Sequence, residues 1–149
     1  MIKDIVSFNI AGNKFAIDFQ KTPLILTASK YLPFANNLND IKFINFENHQ
    51  VKMVYVHDYL HLPFEGISED SKILVGELEE KMYGLIVDRV IEIITITNDF
   101  KILTIENGNE IISGEIVVSN EKIPLVDTYL LLKQINSKRN ITNSNISQH

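Results

Sequence analysis

The sequence predicts a mainly β protein made of two small five-stranded barrels with a short helix at the C-terminal end. Three observations lead there. Apolar residues alternate with period two in runs rich in Ile, Val, Phe and Tyr, with turn chemistry between runs. One stretch of sequence recurs about 70 residues later. Helical spacing is confined to the end of the chain.

Val6, Phe8 and Ile10 alternate, Ala11-Gly12-Asn13 supplies a turn, and Phe15-Ala16-Ile17 returns, which is a hairpin. Ile44 and Phe46 lead into Glu47-Asn48-His49-Gln50, and Met53–Val56 returns, giving a second hairpin with a longer loop. Further strands fit Ile73–Leu78, Met82–Val87, Val90–Ile94, Ile111–Val118 and Lys122–Val126. Tyr129, Leu130, Leu132, Lys133 and Ile135 carry the helical spacing, with Asp127 and Thr128 as cap residues.

The repeat organises these pieces. Lys14–Asp18 reappears as Tyr83–Asp88, Val54–Leu60 as Pro124–Leu130, and Ile41–Ile44 as Ile112–Glu115. Three matches at one nearly constant offset indicate a duplicated unit of about five strands. Five strands close a small barrel and remove its exposed edges. A unit of about 70 residues buries little apolar surface by itself, so the two should pack together and leave a groove. The boundary falls in the polar segment Pro63–Ser71, dividing residues 1–136 into subdomains at about 5–65 and 70–130. Residues 137–149, rich in Asn and Ser, read as a flexible polar tail.

The 149 residues are 45% hydrophobic and 22% charged, an ordinary globular balance. With no cysteine, disulfides, thiolate metal sites and cysteine nucleophiles are excluded. A net charge of −5 disfavours nucleic acid, whose binding requires a basic surface. No apolar run approaches a membrane span, and the N-terminus lacks the pattern of a signal peptide, so a cytoplasmic location is expected.

Chemistry-bearing residues are few. On a helix, His57 and His61, four apart, could face one ligand position, but a metal needs further ligands. Here His57 is read at a strand end and His61 on a short solvent-facing turn. Asp18, Asp58, Asp88 and Asp127 fall at strand ends in the repeated unit, where Asp58 and Asp127 can cap a following helical turn. No Gly-x-Ser-x-Gly elbow and no Gly-rich phosphate loop occurs, so an enzyme has no support. Leu24-Ile25-Leu26 and Tyr31-Leu32-Pro33-Phe34 are more apolar than loops require and read as core or as a partner patch.

The segment Gly84-Leu85-Ile86-Val87-Asp88-Arg89-Val90-Ile91-Glu92-Ile93 resembles the G-hydrophobic-hydrophobic-V-D-x-V-x-E-V stretch of CheW-like domains. Ile112-Ser113-Gly114-Glu115 with Ile123–Asp127 resembles that family's closing strands, and Phe8–Asp18 its opening hairpin. The resemblance spans about Ile5 to Ile135. It implies two SH3-like barrels, intertwined or packed, in one CheW-like domain. It further implies a non-catalytic chemotaxis scaffold, without cofactor, that couples chemoreceptor tips to the regulatory domain of the CheA histidine kinase. Such a protein is associated with membrane receptor arrays through its partners and is not itself inserted in the membrane. The receptor tip is then expected against Ile41, Phe43, Val87 and Val90 in the groove, with Phe46, Glu47, Asn48 and His49 at its rim. Leu24 stands roughly where the family carries an acidic residue.

The first half departs from the family. Where an I-x-G-x-x-N-L-R-G segment is usual, Phe43 replaces the first glycine, and Phe46-Glu47-Asn48-His49 occupies the last four places without the arginine. About two residues are inserted before Tyr55-Val56-His57-Asp58. Asparagine cannot supply a guanidinium's donors or charge. The alternatives are a diverged domain without receptor coupling, or a small β-barrel ligand- or metal-binding module using His57 and His61.

Overall fold

The computed structural model describes residues 3–19, 23–32, 42–96, 101–104 and 111–147. The chain runs through β1 (Lys3–Ile10), β2 (Asn13–Asp18), β3 (Leu24–Thr27), a 3-10 turn (Ala28–Lys30), β4 (Phe43–Phe46) and β5 (His49–Tyr55). A one-turn helix α1 (Val56–Leu60) precedes β6 (Lys72–Leu78), β7 (Lys81–Val87), β8 (Arg89–Ile96) and β9 (Lys101–Thr104). β10 (Ile112–Val118), β11 (Glu121–Val126) and α2 (Thr128–Ser147) complete it.

Four hairpins close with two-residue turns: Ala11-Gly12, Glu47-Asn48, Glu79-Glu80 and Ser119-Asn120, all with positive φ at both positions. That geometry matches the twist of the flanking strands. The longer loop expected at Glu47–Gln50 is therefore corrected, because Phe46 pairs directly with His49. Asn48 tolerates the left-handed region at φ 65°, which allows the tight turn.

The strands form two sheets, β8-β1-β2-β11-β10-β9 and β3-β6-β7-β5-β4. Under the repeat, β1 to β5 correspond to β6, β7, β8, β10 and β11. Substituting these makes the two orders identical, with β9 added at one edge. Each repeat gives its first hairpin to the other repeat's sheet. Two parallel pairings join them: Leu125 opposite Ala16, and Tyr55 opposite Ile86, each partner shifted by 70 residues. The consecutive subdomains expected at 5–65 and 70–130 are thus corrected, since each curled half-barrel combines strands from both halves. The SH3-like, intertwined form of the expectation holds.

Three cores follow from this exchange. Ile5, Ala16, Ile94, Ile116 and Ile123 fill the barrel of the first sheet. Ile44, Val51, Met53, Ile73, Val75 and Ile86 fill the second. Between them lies a larger cluster drawn from both sheets, including Val6, Phe8, Ile17, Val54, Leu74, Leu85 and Val87. Adjacent residues such as Leu85 and Ile86 point into different cores, so the exchanged strands are buried on both faces. That is why their sequences are continuous apolar runs.

Asp127 starts α2 by accepting the Leu130 N–H at 3.0 Å, as expected of a cap. Asp58 does not match it, because the N-cap of α1 is Tyr55, without a side-chain cap bond. The shift of 70 aligns Asp127 with His57 instead. Leu131, Leu132 and Ile135 anchor α2 in the central core. The helix then continues through Ser147, correcting the tail expected from residue 137, with no Gly or Pro to stop it.

Gly84 sits where the core of the second barrel packs closely against β7. A Cβ there would lie 2.8 Å from Ile73 Cγ2 and 3.2 Å from both Met53 Sδ and Val51 Cγ1. Gly84→Val should destabilise the protein by about 1–3 kcal/mol through overpacking. A urea midpoint equal to wild type would refute this packing.

Candidate functional site

No group of three or more potential metal ligands occurs among the described residues. Among the described residues, large apolar side chains are exposed on sheet edges, and also at Tyr31 after the 3-10 turn and Tyr129 on α2. β3 and β4 bound the five-stranded sheet, and each exposes one large apolar residue, Leu24 at 49% and Phe43 at 48%. β8 bounds the other sheet and exposes Ile91 at 38% and Ile93 at 47%. A bulge between β1 and β8 leaves Ile91 without an opposite residue, since Phe8 pairs with Val90 and Ser7 with Glu92.

The expected contact residues are partly brought together. Phe43, Phe46, Glu47, Asn48 and His49 all lie on the β4–β5 hairpin. Glu47, Asn48 and His49 are exposed at its tip. Phe46 is half-buried, its ring edge-on to Tyr31 at 6.1 Å. Leu24 lies on β3, apart from the hairpin in the sheet order. Val90 is half-buried against the central core. Val87 is corrected as a contact residue: it is fully buried in that core and offers no surface to a partner. Ile41 lies outside the described residues.

Ile91 and Ile93 were not expected in this role, whereas Tyr31, from the apolar Tyr31–Phe34 segment, was considered as part of a partner patch and is partly exposed. The signal for the first two was present, since Ile93 and Ile94 are neighbours in a strand and only Ile94 can face the barrel interior.

The second feature is polar and lies where the sheets meet. β7 belongs to one sheet and β8 to the other, with Asp88 alone between them. Asp88 Oδ1 lies 2.8 Å from His57 Nε2, and Oδ2 accepts the Ala11 N–H at 2.7 Å. The Asp88 N–H donates to the Asn9 carbonyl at 3.0 Å. Burial pushes the Asp88 carboxyl up. The His57 hydrogen bond, the Ala11 amide and the His57 charge pull it down, and the balance falls below the usual value of 3.8. An ionised carboxylate only accepts, so His57 Nε2 carries the hydrogen. The imidazole is fully buried, edge-on to Phe64 at 4.9 Å, and Nδ1 has no hydrogen-bond partner. His61, by contrast, is exposed in a left-handed C-cap. The two histidines do not share an environment, one being buried and the other exposed.

Comparison with known proteins agrees with the interlocked barrels. The chain matches the protein-family model described as a CheW-like domain over residues 4–136. It therefore belongs to the CheW-like domain family, a family of scaffold proteins. Among solved structures it is similar to the scaffolding protein TtCheW from Thermoanaerobacter tengcongensis, at 21% identity and a TM-score of 0.67 over 85% of each chain. No curated protein matches. Among the described residues, no helix is long and apolar enough to cross a membrane.

The lowered Asp88 value fixes a pH dependence. Between the unfolded value of 3.8 and the lower folded one, the unfolded chain binds more protons. The Asp88 contribution is therefore complete above the unfolded value and is lost as pH falls through the folded one. Chemical denaturation from about pH 5 to about pH 2 should show wild type losing more stability than Asp88→Asn. Parallel losses would contradict the assignment.

Proposed function

We propose that this protein is a cytoplasmic, non-catalytic adaptor linking the regulatory domain of a CheA-type histidine kinase to the helical cytoplasmic tips of chemoreceptors. The observation that carries this reading is membership of the CheW-like family together with apolar side chains exposed on the edge strands of both sheets. The similar TtCheW is itself described as a scaffolding protein. Two separate edges suit a scaffold, which must hold two partners at once. Leu24 and Phe43 supply apolar surface on one sheet, and Ile91 and Ile93 on the other. The acidic balance and the lack of a membrane-spanning helix among the described residues fit protein partners.

One observation favours a second reading, a diverged domain that has lost receptor coupling. The place of the family's arginine is taken by Asn48, at the second position of a two-residue turn with φ 65°. A guanidinium is absent there, and the tight turn suits Asn better than Arg.

Titration calorimetry against the kinase regulatory domain and a receptor-tip fragment from the same organism tests both readings. The scaffold reading expects saturable binding to each. Phe43→Asp or Ile93→Asp should weaken one of the two by about 30-fold, the scale of an interface hot spot, with little change in folding. Binding to the kinase domain alone supports the diverged reading, and binding to neither by folded protein removes both.

A further inference from the structure

We infer that His57, Asp88 and the Ala11 amide form a latch that fixes the angle between the two interlocked barrels. The chain passes between sheets at two places. From β2 to β3 it uses residues 19–23, and from β7 to β8 it uses Asp88 alone. The single-residue crossing is the natural pivot, and side-chain bonds hold it. Its carboxylate bonds the β1–β2 turn of one sheet and the helix that follows β5 of the other. Its amide bonds the end of β1.

Two physical points set this apart from ordinary packing. The core between the sheets is made of aliphatic and aromatic side chains, whose attraction is non-directional. It resists separation of the barrels much more than a small slide or rotation. A hydrogen-bonded chain with distances of 2.8 and 2.7 Å is directional and fixes register. The second point is the choice of residue. A fully buried imidazole with Nδ1 unsatisfied is a costly way to fill an apolar space beside Phe64. Leucine would fill it without leaving a polar atom unpaired, so the histidine is explained by its bond to Asp88. A buried polar contact of this kind selects one arrangement among several of similar packing energy. The latch lies inside the joint, so this inference stands whichever partner the protein binds.

The test is a distance measurement between the barrels. The chain has no cysteine, so Gln50→Cys on β5 and Lys122→Cys on β11, both exposed, take spin labels cleanly on opposite sheets. With His57 present, pulsed dipolar spectroscopy should give one narrow distance. His57→Leu should displace or broaden it while circular dichroism and cooperative unfolding persist. An unchanged narrow distribution in folded His57→Leu would overturn the latch. If that variant does not fold, Asp88→Asn provides the second reading, because its amide can no longer accept both bonds. Exchange of the Ala11 amide hydrogen should then quicken by about 10-fold or more, the scale of a hydrogen bond to a charged group. Exchange at the wild-type rate would also overturn it.

Discussion

Each sheet is completed by a hairpin from the other repeat, and the remaining structure depends on that exchange. Strands β1 and β2 sit inside a sheet otherwise built from β8 to β11, and β6 and β7 inside one otherwise built from β3 to β5. The exchanged hairpins supply interior strands, with one face in a barrel and the other against the neighbouring barrel. A barrel of this size has too little interior to be stable alone. Sharing hairpins ties the three cores together, because pulling the two repeats apart would remove two central strands from each sheet.

The exchange also dictates what is left on the surface. Interior strands are paired on both sides, and among the described strands β3, β4, β8 and β9 form the sheet edges. Three of these edges carry the exposed Leu24, Phe43, Ile91 and Ile93. An adaptor needs separate surfaces held in a fixed relation, and interlocking provides that relation without a large interface of its own. The joint at Asp88 then sets it finely, through bonds to groups on both sheets.

Much of this was legible in the sequence. The three repeat matches fall on β2 with β7, β5 with β11, and β4 with β10, and the strands expected at Ile73–Leu78 and Met82–Val87 are β6 and β7. What was not legible has physical reasons. Period-two patterning defines a strand but not its neighbour, so consecutive halves and exchanged hairpins read alike. Glu79-Glu80 carries no turn signature, yet closes as tightly as Ala11-Gly12 because the flanking register demands it. Val87 looked available to a partner from its motif, although its parity places it in the central core. His57 drew attention for its neighbour His61, whereas its actual partner is 31 residues away. A long-range polar pair leaves no trace in local spacing.

Native-state amide hydrogen exchange across the two parallel pairings is the most direct measurement of the interlocked fold. One pairing joins β2 to β11 around Ala16 and Leu125, and the other joins β5 to β7 around Tyr55 and Ile86. If hairpin exchange holds the molecule together, these amides open only with global unfolding and respond equally to added denaturant. If one pairing opens at a distinctly lower free energy while the other stays protected, the barrels are independent units and the account is wrong.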